Sequence, residues 1–176
     1  MIRYAIYSDT SVIYDLLNTY VSFGLSKREH ILTLINQKQI FVYEDKEKVI
    51  GVLTFSFNPS IHEILLSHEH ICSKTIPLLK EQWIYIQAIV VEPSYRNQRI
   101  SSRLIQQLLT LYPHFSFILC LWHHPNGWKS DTSLYQMNFH KIHTQKEFFY
   151  HDSIKQQYGC PYCGNGCRCS VSVYVN

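Results

Sequence analysis

The sequence predicts a mixed α/β fold in which helices cover one sheet. Runs rich in Val, Ile, Phe and Tyr alternate with segments whose apolar residues recur at helical spacing. The 176-residue length suits one domain with a sizeable core. Only 16% of the residues are charged and 14% are aromatic, a composition that excludes a disordered protein. We therefore expect a single domain over residues 1–176, including a cysteine-rich segment at 160–169.

The first part of the chain predicts a short strand and then two helices. Residues 2–7 predict the strand, and the amphipathic pattern that follows predicts a helix capped by Asp9. Ser26 and Glu29 have the spacing of a capping box, which predicts the start of the second helix.

The middle of the chain predicts the main strands of the sheet. Two apolar runs, 39–44 and 49–57, flank a polar stretch and predict an antiparallel hairpin, with a bulge at Gly51. Residues 58–82 predict an insert that is helical and then irregular. The near-continuous apolar run 83–91 then predicts a central strand that is buried on both faces.

Pro93 separates this strand from the second half of the chain. There we expect, in chain order, an amphipathic helix from Ile100 that Pro113 stops, a strand at 115–122, a helix at 131–138, and closing strands at 146–151 and 170–175.

The junction between strand 83–91 and the helix from Ile100 is a candidate anion site. The strand ends at Val91-Glu92-Pro93, and a helix begins after a short turn. The first N–H groups of a helix have no intrahelical partners and lie at the positive end of its dipole. A pyrophosphate group would therefore suit this position.

These residues resemble the cofactor motif of the GNAT superfamily of acetyl-CoA-dependent N-acetyltransferases. In that family a strand ending in Val-x-Pro is followed by (Gln or Arg)-x-x-Gly-x-(Gly or Ala) at the start of a helix. Val91, Pro93 and Arg96 fit the pattern, and the order of elements agrees along nearly the whole chain. Arg99 stands at the usual Gly position and Ser101 at the Gly or Ala position, where glycine allows a close approach of the backbone to phosphate.

The resemblance implies a mostly antiparallel sheet of six to seven strands, whose two central strands splay apart to accept acetyl-CoA. Main-chain groups of the central strand would bind the pantetheine arm, and amides at the start of the helix would bind the pyrophosphate. In members of this family, an Asn commonly follows the strand that comes after this helix. The cofactor-binding residues implied are Ile89, Val90, Val91, Arg96, Gln98, Arg99, Ile100, Ser101, Ser102 and Asn126. The alternative is a strand, a turn and a helix that only pack together.

The resemblance also implies direct transfer of an acetyl group from acetyl-CoA to a primary amine. Family members carry a Tyr shortly before a Gly-Phe pair, and Tyr135 is the matching candidate for protonating the leaving thiolate, although Asn138 replaces the Gly. The alternative is that Tyr135 only packs. Since the central strand lacks the usual Glu, Glu81 is the candidate base. Weaker candidates are His62, Glu63, His68, Glu69, His70, His123 and His124.

Four of the six cysteines lie within ten residues, at Cys160, Cys163, Cys167 and Cys169. The first half, Cys-Pro-Tyr-Cys-Gly, looks like the knuckle of zinc ribbons and rubredoxins. Four thiolates would suit a tetrahedral Zn²⁺. Two metal-bound cysteines with partners elsewhere, or a set of reduced thiols without metal, are the alternatives. Cys72 and Cys120 lie in apolar runs and are predicted to be buried.

Charge and hydropathy limit the partners. A net charge of +3 is too small and too scattered for a nucleic-acid surface. The amino terminus does not resemble a signal peptide, and no apolar run reaches the length of a membrane span. We expect a soluble, cytoplasmic protein without a membrane or nucleic-acid partner, whose acceptor is a small-molecule or peptide amine. The oligomeric state stays open, with a homodimer among the options.

A second class of function is also consistent with the sequence. The replaced glycines and the missing strand carboxylate favour a non-catalytic module that keeps the GNAT fold. Such a module would bind CoA or regulate a partner through a metal-binding cysteine tail.

Overall fold

The computed structural model describes residues 1–21, 26–65, 69–123 and 131–176. Its helices are α1 (Thr10–Tyr20), α2 (Arg28–Asn36), α3 (Ile61–Ile64), α4 (Glu69–Thr75), α5 (Ile100–Leu111), α6 (Asp131–Gln136) and α7 (Tyr150–Gln156). Its strands are β1 (Ile2–Tyr4), β2 (Ile40–Asp45), β3 (Lys48–Phe57), β4 (Trp83–Val91), β5 (Ser116–His123), β6 (His140–Gln145) and β7 (Ser170–Val175).

The seven strands form one sheet in the order β1-β2-β3-β4-β5-β7-β6. The pairs β1–β2, β2–β3, β5–β7 and β6–β7 are antiparallel, whereas β4 and β5 run parallel. The predicted fold class, a mostly antiparallel mixed sheet flanked by helices, is confirmed. Among the helices that are described, none has both the length and the apolar character needed to cross a membrane.

The hairpin of β2 and β3 carries the bulge predicted at Gly51. Tyr43 pairs with Gly51, but the next residue, Glu44, pairs with Val49, so Ile50 has no opposite residue. An extra residue of this kind bends a strand and increases its twist.

The two central strands pair over only part of their length. The parallel pairs run from Trp83–Ser116 to Ile86–Leu119, whereas β4 continues to Val91 and β5 to His123. The prediction that β4 is buried on both faces was wrong, because only Ile84, Ile86 and Val90 are buried and the other side chains of β4 are partly exposed.

Contacts divide the chain into two compact units. The first consists of residues 1–55, 87–113 and 158–161, and its core includes Ile13, Ile31 and Val42. The second consists of residues 56–86, 114–157 and 162–176, and its core includes Ile118, Phe148 and Val173. A single domain over residues 1–176 stays a prediction.

Two predicted helix caps were wrong. Asp9 precedes α1, but its carboxylate accepts the Ile6 N–H at 2.8 Å and pairs with the Arg3 guanidinium at 2.7 Å instead of capping the helix. Ser26 does not cap α2, because that helix begins one residue later than the box requires, after Lys27 and without a side-chain cap.

The first predicted closing strand, 146–151, was also wrong. Its place in the sheet is taken by β6, which ends at Gln145, and α7 begins at Tyr150. Between them Glu147 has a φ of 50°, which turns the chain out of an extended path. The second closing strand, 170–175, is confirmed as β7.

Candidate functional site

The turn that follows β4 is fixed to the sheet and to α1. The Arg96 Nε donates to the carbonyl oxygen of Val91 at 3.2 Å, and its guanidinium carbon lies 5.5 Å from the centre of the Tyr20 ring. The Glu92 N–H donates to the carbonyl oxygen of Ile50 at 2.9 Å. These contacts hold the end of β4 and the residues that lead into α5 within the first unit.

The start of α5 leaves its first amides outside the helical ladder. The first intrahelical bond runs from Arg103 N–H to the Arg99 carbonyl oxygen at 3.0 Å. The N–H groups of Ile100, Ser101 and Ser102 therefore precede the ladder, at the positive end of a twelve-residue helix. This geometry can accept an anion without a cationic side chain.

Arg99, at the N-cap of α5, has the backbone conformation that usually favours glycine. Its φ is 59° and its ψ is 21°, in the left-handed region, and its side chain is exposed. The chain thus keeps the turn expected of a glycine with an arginine in place. Asn97, two residues earlier, also has a positive φ, of 64°.

The two sides of the first turn of α5 differ in character. Ile100 is buried and packs against Gly51 in β3, where an added Cβ would come within 3.0 Å of the isoleucine Cγ2. Gln98 and Ser101 are exposed, and Ser102 is half-buried. The apolar side therefore fixes the helix start, and the polar side is accessible to a ligand.

The predicted pantetheine-binding residues lie on β4 beyond its last pair with β5. Ile89 and Val91 are half-buried and Val90 is buried. The Val91 carbonyl oxygen already accepts from Arg96, so any pairing of a ligand with that carbonyl must share or displace this bond.

Tyr135, the predicted acid, lies in α6, in the second unit. Its side chain is 48% exposed, so the phenol is accessible to a ligand. Its ring meets the Tyr174 ring edge to face, with 6.2 Å between the centroids. The contact with buried Tyr174 orients the ring without enclosing it.

Glu81, the predicted base, also lies in the second unit. It is exposed and lines a surface pocket of about 380 Å³ together with Ile61, Leu79, Lys80 and Trp83. Both His62 and Glu63 are exposed. Asn126, His68 and His124 lie outside the described residues, and so do the side chains of Glu69 and His70.

A polar chain that the sequence did not predict crosses three strands of the second unit. His123 Nε2 lies 2.8 Å from the Ser172 hydroxyl, and the Thr144 hydroxyl lies 2.7 Å from the same oxygen. Ser172 is buried within β7 between two buried valines. A serine within so apolar a run indicates a buried hydrogen bond. The sequence could not identify its partners, because they lie in distant parts of the chain.

Cys120 and Cys72 lie outside the cysteine-rich segment. Cys72 is buried, as predicted, but the same prediction for Cys120 was wrong, because that residue is half-buried. Burial raises the pKa of the Cys120 thiol to about 12, against the opposing effect of its hydrogen bond with Tyr85. Burial also raises the pKa of Tyr85. A raised pKa favours the protonated thiol at neutral pH, which is the less nucleophilic form of cysteine.

The structure brings the four clustered cysteines together. The Sγ atoms of Cys160, Cys163, Cys167 and Cys169 all lie within 4.8 Å of one another, and none of these residues forms a disulfide. All four are buried except Cys163, which is half-buried. Such a cluster could hold a metal ion.

Comparison with known proteins gives one family. Residues 10–139 match the family model described as "Acetyltransferase (GNAT) family". The search of curated proteins gave no match.

Solved structures of the same fold include several acetyltransferases. Mosquito arylalkylamine N-acetyltransferase like 5b is 16% identical, with a TM-score of 0.69 over 100% of this chain and 98% of that one. Arabidopsis thaliana NAA60 in complex with acetyl-CoA is 17% identical, with a TM-score of 0.68 over 100% and 97%. Drosophila melanogaster polyamine N-acetyltransferase is 13% identical, with a TM-score of 0.63 over 100% and 98%.

Proposed function

The chain belongs to the acetyltransferase (GNAT) family, and on that premise we propose that it transfers an acetyl group from acetyl-CoA to a primary amine. The observation that carries the proposal is the start of α5, where Ile100, Ser101 and Ser102 present amides that precede the helical ladder. This is a position where a pyrophosphate would be stabilised.

The proposed cofactor site extends from β4 through the turn to α5. Its pyrophosphate would bind the amides of residues 98–102, and its pantetheine arm would pair with main-chain groups of Ile89 and Val91. The ladder between β4 and β5 supports this placement, because its last pair is Ile86–Leu119 and both Ile89 and Val91 lie beyond that pair. Arabidopsis NAA60, which shares the fold, was solved in complex with acetyl-CoA. Asn126 belongs to the proposed site on sequence grounds alone.

In the proposed reaction the neutral amine attacks the thioester carbonyl carbon. A C–N bond forms, the C–S bond breaks, and the leaving thiolate takes a proton. Tyr135 is the proposed donor of that proton, and its exposed phenol supports this role. No covalent intermediate with the protein is required, because the amine and the thioester are held in one complex.

The amine must lose its proton before or during attack, and two side chains are proposed for this step. Glu81 is an exposed carboxylate beside an apolar pocket. His123 is held by its 2.8 Å contact with buried Ser172, which would fix the imidazole in one orientation. Histidine is the side chain that most often acts as a general base in enzymes. Comparing Glu81→Gln with His123→Gln in the same assay would choose between them.

The acceptor is a small-molecule amine or the amine of a peptide. Proteins of the same fold include an arylalkylamine N-acetyltransferase-like protein and a polyamine N-acetyltransferase. Such a fold accommodates several acceptor classes and does not choose among them.

The second candidate is a CoA-binding module without catalysis. The exposed arginine at the N-cap of α5 favours it, because a side chain stands where a glycine would allow close approach to phosphate.

The test has two stages. Titration calorimetry with acetyl-CoA and with desulfo-CoA first measures cofactor binding. A panel of aryl, polyamine and peptide amines is then assayed by release of CoA thiol. Binding with turnover supports the enzyme, and binding without turnover supports the module. No binding at millimolar cofactor would contradict both.

A further inference from the structure

We infer that Cys160, Cys163, Cys167 and Cys169 together bind one Zn²⁺ ion in a structural site. The inference does not depend on the proposed acetyl transfer. It rests on sulfur positions, on the conformation of the loop that carries them, and on how that loop is attached to α7.

The sulfur positions fit a tetrahedron around one ion. With zinc–sulfur bonds of about 2.3 Å, the four sulfurs of a regular tetrahedron lie about 3.8 Å apart. Here the four Sγ atoms lie within 4.8 Å of one another, and those of Cys163 and Cys169 are 3.4 Å apart. These separations bring all four sulfurs close enough to ligate one ion, and zinc tolerates irregular sites because its filled d shell imposes no geometry of its own.

Disulfide bonding explains this arrangement less well. A disulfide needs a sulfur separation of about 2.05 Å, whereas the Cys163 and Cys169 sulfurs are 3.4 Å apart. Pairing these two would leave Cys160 and Cys167, both buried, to form the second bond. Four sulfurs that converge within 4.8 Å of one another are typical of one metal ion rather than of two separate bonds.

The loop between the second and third cysteines is shaped by two glycines. Gly164 and Gly166 have φ values of 69° and 75°, a backbone conformation that residues other than glycine rarely adopt. A Cβ at Gly166 would also lie 3.3 Å from Cε2 of Tyr150. These turns let four ligands from one short segment approach a common point.

The ligand loop is attached to α7 by a buried serine. The Cys167 N–H donates to the Ser153 hydroxyl at 2.9 Å, and that hydroxyl donates to the Tyr150 carbonyl oxygen at 2.9 Å. Ser153 is buried, so both bonds are protected from water. This attachment fixes the backbone of one ligand before metal binds, as supporting hydrogen bonds do around metal sites.

Four protein ligands leave no open position for substrate, so the ion would stabilise structure and not activate water. It would join the end of α7 to the start of β7 at Ser170. Since the unfolded chain lacks the assembled site, zinc binding would contribute directly to folding stability.

The test uses the full chain purified without chelator. Elemental mass spectrometry is expected to find one zinc per chain, and replacement by Co²⁺ should give the visible absorption of a tetrahedral tetrathiolate. Cys163→Ala removes the most accessible ligand and should lose the metal. Cys72→Ala, which removes a buried thiol outside the cluster, should keep one zinc.

If Cys163→Ala does not fold, the wild-type protein still gives a result. A high-affinity chelator should remove the zinc and lower the melting temperature, and added zinc should restore both. A protein that contains no metal and does not take up added Zn²⁺ or Co²⁺ would overturn the inference. Iron at one per chain, or disulfides among these four cysteines under reducing purification, would overturn it as well.

Discussion

Gly51 in β3 lies directly against Ile100, the first residue of α5. A Cβ at Gly51 would stand 3.0 Å from the Ile100 Cγ2 and 3.3 Å from the Tyr43 Cβ. Since the amides proposed to bind pyrophosphate begin at Ile100, this contact connects the bulge in β3 with the position of the proposed cofactor site.

Gly51→Ala should therefore displace the start of α5. Overpacking of this kind costs about 1–3 kcal/mol, and we expect weaker acetyl-CoA binding as well. Ile100→Leu removes the branched methyl at the contact. It should partly restore both stability and acetyl-CoA affinity when it is combined with Gly51→Ala. A double-mutant cycle on denaturation and on calorimetric affinity measures the coupling, and simple additivity would contradict the contact.

Ser101→Glu should abolish acetyl-CoA binding while the fold persists. The substitution places a carboxylate among the first-turn amides, where it would compete with and repel a pyrophosphate. Gln106→Glu, at an exposed position further along α5, is the control for added charge on the same helix. Calorimetry measures the affinities and circular dichroism the fold. Equal affinities for the two variants would place the phosphate site elsewhere.

Arg99→Gly should give a more stable protein than Arg99→Ala. Both variants remove the exposed guanidinium, but only glycine accepts a φ of 59° without steric cost. The expected difference is about 1 kcal/mol in the free energy of unfolding, measured by urea denaturation. If Arg99→Ala proves to be the more stable variant, Arg99 does not adopt the left-handed conformation.

Tyr135→Phe should lower kcat by roughly 100-fold and leave KM nearly unchanged, because it removes the proposed proton donor but keeps the ring beside Tyr174. Tyr162→Phe removes another exposed phenol and serves as the control. Steady-state kinetics with the best amine from the panel provide the measurement. If the two variants were equally active, Tyr135 would not be the proton donor and would serve only in packing.

Asp9→Asn should destabilise the protein near neutral pH by about 2 kcal/mol. Desolvation by itself would raise the pKa of Asp9, but the Arg3 guanidinium and the Ile6 N–H together hold it below its ordinary value of 3.8. A lowered carboxyl pKa stabilises the fold above pH 3.8 and ceases to do so as the pH falls through the folded-state value. The difference in the free energy of unfolding between wild type and Asp9→Asn should thus become smaller in acid.

Denaturant titrations at neutral and at acidic pH test this dependence. Asp15→Asn removes an exposed carboxylate from α1 and should change stability little at either pH. A gap between wild type and Asp9→Asn that stays constant with pH would show that the charge of Asp9 is not the source of its effect.

Most strands of the sheet were predictable because they depend on local sequence. β4 and β7 have the predicted bounds, and the bulge at Gly51 was indicated by a glycine within an apolar run. The short strand β6 was missed because its residues, His140–Gln145, are mostly polar and none of them is buried. What makes it a strand is its pairing with β7, a partner far away in the sequence.

The candidate site was predictable where it is continuous in the sequence. The start of α5 could be read from the motif, but the left-handed conformation of Arg99 could not, since arginine rarely adopts it. The contact of His123 with Ser172 joins two strands across the sheet and has no local signal. Asp9 was predicted as a cap, yet Arg3 offers its carboxylate a stronger, charged partner.

The position of β7 means that β6 reaches the sheet only through residues 170–175. β7 lies between β5 and β6, and β6 pairs with β7 at the edge of the sheet. The pairing of β5 with β7 joins distant segments, which slows folding, and until it forms the edge of β5 can pair with another chain. If the four cysteines that immediately precede β7 bind zinc as inferred, metal binding would order this segment and shorten the time for which that edge is open.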